Sequence, residues 1–407
     1  MGKTSGILFV APVLPVDVAA IAQILVNANL LAGLVTRGTI SPVLARILAG
    51  LKATRAFARR PSSPVDRRRT NQVWSADFLY YVTLAFTGSK TRATDNSFQF
   101  LDRYASRMIN ARVSGALARE DCCVRTFKRA RDSGVKTVYQ LPTAYWRVVQ
   151  TLMEKELAEF PGVCKAAEKG DDYRPNRTER KDEELLLSDS VICPSTFVRE
   201  SLRGYFDPPR ETKTIPFGAA PCFFQHRPRH SKPIFLYVGN ITMRKGVHRL
   251  LLAWRRLHAY RICELRLIGE MFLTETFLKD FRGMYTYIDR LPREQLREHY
   301  CEASAFVFNT VADGFGHVIL EAMGCGLPVL CSRNSGAPDL VTDGVEGRLF
   351  NYGADEQLAS ILEWALGNPD ELALMGLRAR QKALVSGWDK FGQHFLPWIK
   401  SVTSGAA

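Results

Sequence analysis

Residues 305–350 read AFVFNTVADGFGHVILEAMGCGLPVLCSRNSGAPDLVTDGVEGRLF, and this stretch decides the fold. Short apolar runs that are bounded by turn residues are typical of buried strands, and a glycine ends a helix. The predicted elements are, in chain order, a strand at residues 305–309, a glycine-rich loop at 312–316, a helix at 317–323 and a strand at 327–331. The stretch therefore predicts one βαβ unit of a parallel sheet.

The start of the predicted helix is a candidate anion site. Its unpaired backbone N–H groups and the positive end of its dipole attract anions, and Gly314 and Gly316 let a ligand approach the backbone. Asp313 precedes the helix, and Glu321 leans back toward its start, because helical side chains tilt toward the N-terminus. Phosphate-binding N–H groups beside hydroxyl-binding carboxylates suit a sugar nucleotide. As the alternative to ligand binding, Asp313 is there only because a carboxylate is stable near the positive end of a helix, and Glu321 is a solvated helix residue.

The same stretch resembles the donor-binding signature of the retaining glycosyltransferases of family 4, the glycosyl transferases group 1 set with the GT-B fold. The family pattern is E-G-F-G-x-x-x-x-E-A-M-A-x-G-x-P-V. Asp313 occupies the position of the first Glu, and Glu321 matches the second. The other matching residues are Gly314, Phe315, Gly316, Ala322, Met323, Gly326, Pro328 and Val329. The resemblance implies an α/β fold with two Rossmann-like domains facing a cleft and a nucleoside diphosphate sugar as donor.

A second candidate anion site lies in PIFLYVGNITMRKGVHRLLLAWRRL, residues 233–257. This segment predicts a strand at residues 234–238 and a helix from about residue 246. Arg244 and Lys245 fall at the positive end of that helix, where an anion such as a diphosphate compensates their charge; a solvated basic pair is the alternative. The family loop reads G-R-x-x-x-x-K-G, and its Arg and Lys hold the diphosphate. Gly239 and Lys245 match that loop, whereas Asn240 stands at the Arg position and makes Arg244 the candidate substitute.

Two domains are expected from the length of 407 residues. SDSVICPSTFVRESL and TIPFGAAPCFF resemble the segments that close the family's N-terminal domain, which places the boundary near Gly218. We expect an acceptor-side domain of residues 1–218 and a donor-binding domain of residues 219–387. The C-terminal helix, residues 388–407, is expected to cross back to the first domain. Four arginines are expected on the solvent face of an amphipathic helix: Arg249, Arg255, Arg256 and Arg261.

The N-terminal part is less regular. Residues 7–36 carry one charge, Asp17, but Pro12 and Pro15 interrupt the apolar run, so we predict a strand and a helix capped by Asp17 rather than a membrane span. Residues 52–69 are basic and either touch anionic lipid or an acidic acceptor, or form a solvated loop. Family members often carry a histidine in the loop equivalent to residues 143–145. Here Tyr145 is the best-placed residue, with a core aromatic as the alternative.

Composition limits the partners. A formal charge of +14 and a pI near 9.4 favour anionic partners, and no nucleic-acid-reading motif is present, so nucleic acid is not expected. The nine cysteines lack metal-ligand spacing and fall mostly in apolar runs, which predicts reduced thiols in a cytoplasmic protein. Neither an Asp-x-Asp motif nor a histidine cluster suggests a metal site, and no cofactor is expected.

The main hypothesis is a retaining, metal-independent transfer of a sugar from a nucleoside diphosphate to an acceptor hydroxyl. Lys245, Arg244 and the N–H groups of Gly316 and His317 are expected to stabilise the departing diphosphate. Glu321 would bind the ribose and Asp313 a donor-sugar hydroxyl, and the leaving phosphate would take the acceptor proton, as the resemblance implies. The acceptor is a carbohydrate, a lipid or a small molecule, with peripheral contact to the inner membrane face as an option. A sugar-nucleotide epimerase and a catalytically weakened carbohydrate-binding protein are the alternatives. The base, the sugar and the linkage are left open.

Overall fold

The chain builds two parallel β-sheets, one after the other, in the computed structural model, which describes residues 6–38, 65–66, 69–165, 175–205, 211–219 and 232–404. The strands of the first sheet are β1 (Gly6–Val10), β2 (Leu31–Thr36), β3 (Thr70–Gln72), β4 (Val113–Arg119), β5 (Lys136–Gln140), β6 (Ser190–Cys193) and β7 (Glu211–Thr214). Those of the second are β8 (Ile234–Val238), β9 (Glu264–Ile268), β10 (Thr286–Ile288), β11 (Ala305–Phe308), β12 (Val329–Ser332) and β13 (Gly347–Phe350).

Helices alternate with these strands. The first half carries α1 (Val16–Asn27), α2 (Trp74–Thr87), α3 (Lys90–Ser106), α4 (Val124–Asp132), α5 (Trp146–Glu159), α6 (Pro175–Leu187) and α7 (Thr196–Glu200). The second half carries α8 (Val247–Arg256), α9 (Glu275–Leu278), α10 (Arg293–Glu302), α11 (His317–Gly324), α12 (Ala337–Leu340), α13 (Asp355–Gly367), α14 (Pro369–Leu384) and α15 (Trp388–Thr403). Short 3-10 helices lie at Ala259–Arg261 and Lys279–Phe281.

Both sheets have the doubly wound topology. Their strand orders are β3-β2-β1-β4-β5-β6-β7 and β10-β9-β8-β11-β12-β13. The central strands β1, β8 and β11 are buried along their whole length, because helices cover both faces of a parallel sheet. The strand order reverses between β1 and β4 and again between β8 and β11, and ligands bind such sheets at the carboxyl ends of the strands beside the reversal. The predicted α/β fold with two Rossmann-like sheets is confirmed.

The predicted elements of the second half agree with the structure. The strand at residues 234–238 is β8, and the helix at residues 317–323 is α11, which extends one residue further, to Gly324. In the first half, residues 74–106 form the helical pair α2 and α3. Local periodicity therefore located the donor-side elements within one or two residues.

Two predicted roles are wrong. Asp17 does not cap α1: Pro15 is the N-cap, and the Asp17 carboxylate instead accepts hydrogen bonds from Arg119 and Gln140. Arg249 does not lie on a solvent face, since its side chain is buried and paired with Glu156. In both cases the charged group forms an ion pair with a residue that is distant in the sequence, Arg119 for Asp17 and Glu156 for Arg249.

The last helix reaches the first half of the chain. In α15 the Trp398 indole Nε1 donates to Glu211 Oε1 of β7 at 3.0 Å. Thr403 of α15 packs against Gly115 of β4: a Cβ added to Gly115 would lie 2.4 Å from the methyl group of Thr403. The predicted boundary near Gly218 lies in the segment between β7 and β8 and stays a prediction.

The basic run at residues 52–69 lies almost wholly outside the described residues. Among the helices that the structure describes, none is both long enough and apolar enough to span a bilayer. All described cysteines are free thiols, and most are buried.

Candidate active site

A cleft of about 290 Å³ opens where the two sheets face each other. The carboxyl ends of β4, β8 and β11 contribute Arg119, Val238 and Phe308 to its wall. The remaining lining residues are Pro15, Asp17, Pro142 and Phe217 from the first half, and Gly239, Lys245, Asp313, Phe315, Gly316, His317 and Val318 from the second. The cleft thus lies at the position where the topology of both sheets predicts a ligand.

Lys245 and Asp313 form an ion pair in the cleft. The ammonium donates to Asp313 Oδ2 and lies 5.5 Å from the centre of the Phe308 ring, while Asp313 Oδ1 accepts the N–H of Phe315 at 3.1 Å. Burial alone would raise the pKa of Asp313, but the Lys245 ammonium and these hydrogen bonds outweigh it and lower that pKa to about 2. Asp313 is therefore a carboxylate throughout the physiological range.

The start of α11 faces the same cleft. Gly316 is the N-cap with φ of 83°, a left-handed conformation that glycine adopts without strain. The N–H groups at the very start of a helix have no acceptor inside it, and Gly316, His317 and Val318 line the cleft. The His317 ring stacks on Phe217 with 5.3 Å between centroids, and burial lowers its pKa despite the opposing charges of Asp17 and Asp313. His317 consequently presents a neutral imidazole at neutral pH.

Arg244, by contrast, is not among the residues that line the cleft. Its guanidinium donates to the Ala312 carbonyl at 3.2 Å and to Thr143 Oγ1 of the first half at 2.9 Å. Gly314 also contacts the first half: an added Cβ would lie 1.9 Å from the Pro142 carbonyl oxygen, and Ser195 Oγ donates to the Gly314 carbonyl at 2.6 Å. Both residues join the two halves at the cleft, whereas the sequence had assigned them to the ligand.

Glu321 lines a second, adjoining cavity of about 170 Å³. Its carboxylate accepts hydrogen bonds from Arg293 at 2.9 Å and from the Tyr300 hydroxyl at 3.2 Å. Burial raises its pKa, and these partners only partly offset that effect. Pro15, Asp17 and His317 line both cavities, so the cavity of Glu321 shares part of its wall with the cleft of Lys245.

Asp17 and Arg119 are site residues that the sequence analysis missed. Arg119 Nη1 lies 2.5 Å from Asp17 Oδ2, and Gln140 Nε2 donates to the same oxygen at 3.2 Å. Asp17 is 3% exposed, yet it contributes to the wall of both cavities. A signal existed in the sequence, because Asp17 is the only charge in residues 7–36 and a lone acid in an apolar run needs a partner.

Two further candidates lie away from the cleft wall. Asn240 is exposed and its carbonyl accepts the Tyr237 hydroxyl, whereas the preceding Gly239 does line the cleft. Tyr145 is buried and its hydroxyl bonds to Asp182 at 2.6 Å, which agrees with the core alternative. In the part of the chain that the structure describes, no group of three or more His, Cys, Asp or Glu is arranged to hold a metal ion.

Comparison with known proteins matches the second half of the chain to a known family. Residues 221–382 match the family model described as glycosyl transferases group 1, which confirms the predicted resemblance. The chain is 30% identical over 161 residues to the sulfoquinovosyl transferase of Arabidopsis thaliana, a match covering 39% of this chain and 31% of that protein. It is 30% identical over 175 residues to the alpha-maltose-1-phosphate synthase of Mycobacterium tuberculosis, covering 38% and 44% of the two chains. The chain therefore spans less than half the length of these relatives.

Solved structures resemble the whole chain. The sucrose-phosphate synthase of Thermosynechococcus elongatus superimposes with a TM-score of 0.68 at 16% identity, covering 99% of this chain and 100% of that one. Anabaena HepE in complex with UDP gives a TM-score of 0.62 at 15% identity, covering 97% and 100%. At these identities the likeness concerns the fold, which is the GT-B arrangement of two Rossmann-like domains.

Proposed function

Because residues 221–382 match the family model of the glycosyl transferases group 1, we propose that this chain is a glycosyltransferase. It moves a sugar from a nucleoside diphosphate donor to an acceptor hydroxyl, with retention of the anomeric configuration. The observation that carries the proposal is the convergence of Lys245, Asp313 and the start of α11 on one cleft between the two sheets.

The electrostatics of the cleft favour a diphosphate. Lys245 directly precedes Gly246, the N-cap of α8, and the N-cap of α11 lines the same cleft. A helix start carries roughly half a positive charge, so the start of α11 and the Lys245 ammonium both place positive charge beside the Asp313 carboxylate. An incoming phosphate oxygen would share the Lys245 ammonium with Asp313 and accept hydrogen bonds from the N–H groups of α11.

The donor would extend across both cavities. The cleft of about 290 Å³ alone is at the low end of the ~300–1,000 Å³ that is usual for small-molecule sites. The adjoining cavity offers Glu321, whose carboxylate would accept hydrogen bonds from the ribose hydroxyls, with Arg293 and Tyr300 holding it in place. The UDP bound in Anabaena HepE supports a nucleoside diphosphate as the ligand of this fold.

Asp313 is a poor base for the acceptor proton. Asp313, with a pKa of about 2, would give up a proton near neutral pH rather than hold one. A phosphate with a second pKa near 6 is better matched. The chemistry of the protein therefore consists in stabilising the departing diphosphate by Lys245 and the α11 N–H groups, while His317 and Asp17 shape the space of the sugar and the acceptor.

Binding and turnover test the proposal separately. A thermal-shift panel of nucleoside diphosphates and their sugars identifies the donor, because a ligand specific to the folded state raises its apparent stability. Release of free nucleoside diphosphate then separates sugar transfer from epimerisation, which leaves an altered but intact sugar nucleotide. Donor binding without any release, in the presence of candidate acceptors, would favour a carbohydrate-binding protein.

Lys245→Ala and Glu321→Ala are the decisive variants for transfer, with Arg256→Ala as the control. Arg256 is exposed and pairs with the exposed Glu356, at the far end of the helix that Lys245 precedes. Loss of transfer in the first two variants and retention in the third is expected. Unchanged transfer in both Lys245→Ala and Glu321→Ala would overturn the assignment.

A further inference from the structure

Helix α2 exposes aromatic side chains to an unusual degree. Trp74 is 45% exposed, Phe78 72% and Phe86 86%. Its sequence, WSADFLYYVTLAFT, contains one charged residue, Asp77. That carboxylate is buried and bonded to Arg37 Nε at 2.9 Å and to the Gly38 N–H at 2.6 Å, so it contributes no charge to the open side of the helix.

The exposed aromatics lie on one side of the helix. Positions 74, 78 and 86 follow the spacing of four and eight residues that places side chains along one face. The buried residues of α2, Ala76, Asp77 and Thr83, dock the helix on the protein from the opposite side. Phe78 and Phe86 are separated by roughly 12 Å along the axis, given a rise of about 1.5 Å per residue. The result is an apolar aromatic strip, which we call the α2 strip (Trp74, Phe78 and Phe86).

Cations flank this strip. Lys90 and Arg92 are exposed in the first turn of α3, immediately after the turn that ends α2 near Phe86. The chain as a whole carries a formal charge of +14, so its surroundings favour an anionic partner.

We propose that the α2 strip is the docking surface for an anionic lipid bilayer. At 14 residues α2 is shorter than the ~20 that cross a bilayer, so it would lie in the interface with its rings inserted among the headgroups. Helices that lie at the membrane–water interface commonly combine aromatic residues with Lys and Arg. The rings partition into the interface, and the cations attract anionic headgroups. This proposal stands on α2 and its neighbours and does not depend on the proposed transferase activity.

Vesicle flotation of the full chain tests the proposal. The variants are wild type, Phe78→Ser with Phe86→Ser, and Leu374→Ser with Leu384→Ser as the matched control. Leu374 and Leu384 are 52% and 54% exposed on α14, so the control removes exposed apolar area elsewhere. Each protein is mixed with vesicles of phosphatidylcholine alone or of phosphatidylcholine with phosphatidylserine.

Wild type and control should float with the phosphatidylserine vesicles and far less with phosphatidylcholine alone. The Phe78/Phe86 variant should lose roughly tenfold in partitioning, because two rings no longer enter the boundary. Equal flotation of all three proteins, or no flotation of wild type, overturns the proposal.

Two further measurements exclude other occupants of the strip. The melting temperature of the Phe78/Phe86 variant should equal that of wild type, since exposed side chains contribute little to stability. A fall of several degrees would mean that protein covers the strip and would overturn the proposal. Light scattering that finds a wild-type dimer and a monomeric variant would assign the strip to a second copy of the chain instead.

Discussion

Lys245 and Asp313, which are 68 positions apart in the chain, form an ion pair in the cleft between the two sheets. The pair joins the loop that follows β8 to the loop that follows β11, so one charge from each side of the strand-order reversal lies at the same point. Without an anion, Asp313 is the partner that balances the Lys245 ammonium. A bound diphosphate would compete for that ammonium, which makes Asp313 a determinant of both affinity and rate.

Asp313→Asn should therefore separate binding from turnover. Removing the carboxylate leaves Lys245 free for phosphate, so nucleoside diphosphate should bind at least as tightly as in wild type by calorimetry. Sugar transfer should fall about 10–100-fold, since a charge-assisted hydrogen bond to the sugar is lost. Asp313→Glu, which restores the residue of the family pattern, should retain most of the transfer. Loss of nucleotide binding in both variants would contradict this view of the pair.

Asp17→Asn should impair transfer while leaving nucleoside diphosphate binding in place. Asp17 lines both cavities from the first half of the chain and is oriented by Arg119 and Gln140. We expect at least a tenfold loss of transfer with a smaller change in donor hydrolysis, since water needs less orientation than an acceptor. Asp389→Asn, at an exposed acid in the first turn of α15, is the control. Parallel loss of nucleotide binding would argue against an acceptor-side role.

Gly314→Ala should disturb the contact between the halves. The new methyl group would lie 1.9 Å from the Pro142 carbonyl oxygen, a backbone atom that cannot move aside alone. Overpacking of this kind costs about 1–3 kcal/mol, measured as a lower free energy of unfolding in urea. Gly367→Ala is the matched control, because no atom lies within 4 Å of the added Cβ. Equal stability of the two variants would mean that the loop containing Pro142 moves aside without a measurable cost in free energy.

Glu156→Gln should weaken a buried ion network between the halves. Glu156 of α5 accepts from His248 at 2.8 Å and from Arg249 Nη2 at 2.9 Å, both on α8. Removing its charge should cost about 3 kcal/mol of unfolding free energy at pH 7, since Arg249 loses its buried carboxylate partner and keeps only the more exposed Glu159 and Asp355. The exposed Arg256–Glu356 pair is the comparison, and Glu356→Gln should leave the melting temperature unchanged.

The stabilisation that Glu156 provides should depend on pH in the acid range. Burial would raise the pKa of Glu156, but hydrogen bonds from His248 and Arg249 lower it from 4.5 to about 2. A lowered folded-state pKa contributes stability that is present above the unfolded value and lost as the pH falls through the folded one. The difference between wild type and Glu156→Gln should accordingly shrink between about pH 4.5 and pH 2. A constant difference across that range would contradict the shift.

Glu184 should show the opposite dependence. Burial and the neighbouring Asp121 charge raise its pKa to about 8, while its oxygens accept the N–H groups of Asp121 and Cys123. Between its ordinary pKa of 4.5 and 8 the folded state binds more protons than the unfolded chain, so stability falls as the pH rises. Glu184→Gln should thus destabilise the protein less at pH 9 than at pH 5. Glu183→Gln, at a half-exposed side chain that pairs with Lys128, should have a similarly small effect at both. A larger penalty at pH 9 would contradict the raised pKa.

Local sequence patterns were enough to predict the βα order of the second half, the start of α11 at Gly316 and the position of Lys245 before α8. These features are local: apolar periodicity, glycine turns and helix ends are written within a few residues of one another. The Glu321 and Lys245 matches to the family pattern are local as well, which is why residues 221–382 were recognised.

Only the tertiary structure decided which charges meet. Asp17 pairs with Arg119 from 102 positions away, Arg244 bonds to Thr143 rather than lining the cleft, and Arg249 is buried against Glu156. Each of these pairs depends on how the fold brings together elements that are far apart in the chain, and no local pattern encodes that distance. A buried charge takes whichever opposite charge the fold brings within reach, because leaving it unpaired costs more than any local preference can offset.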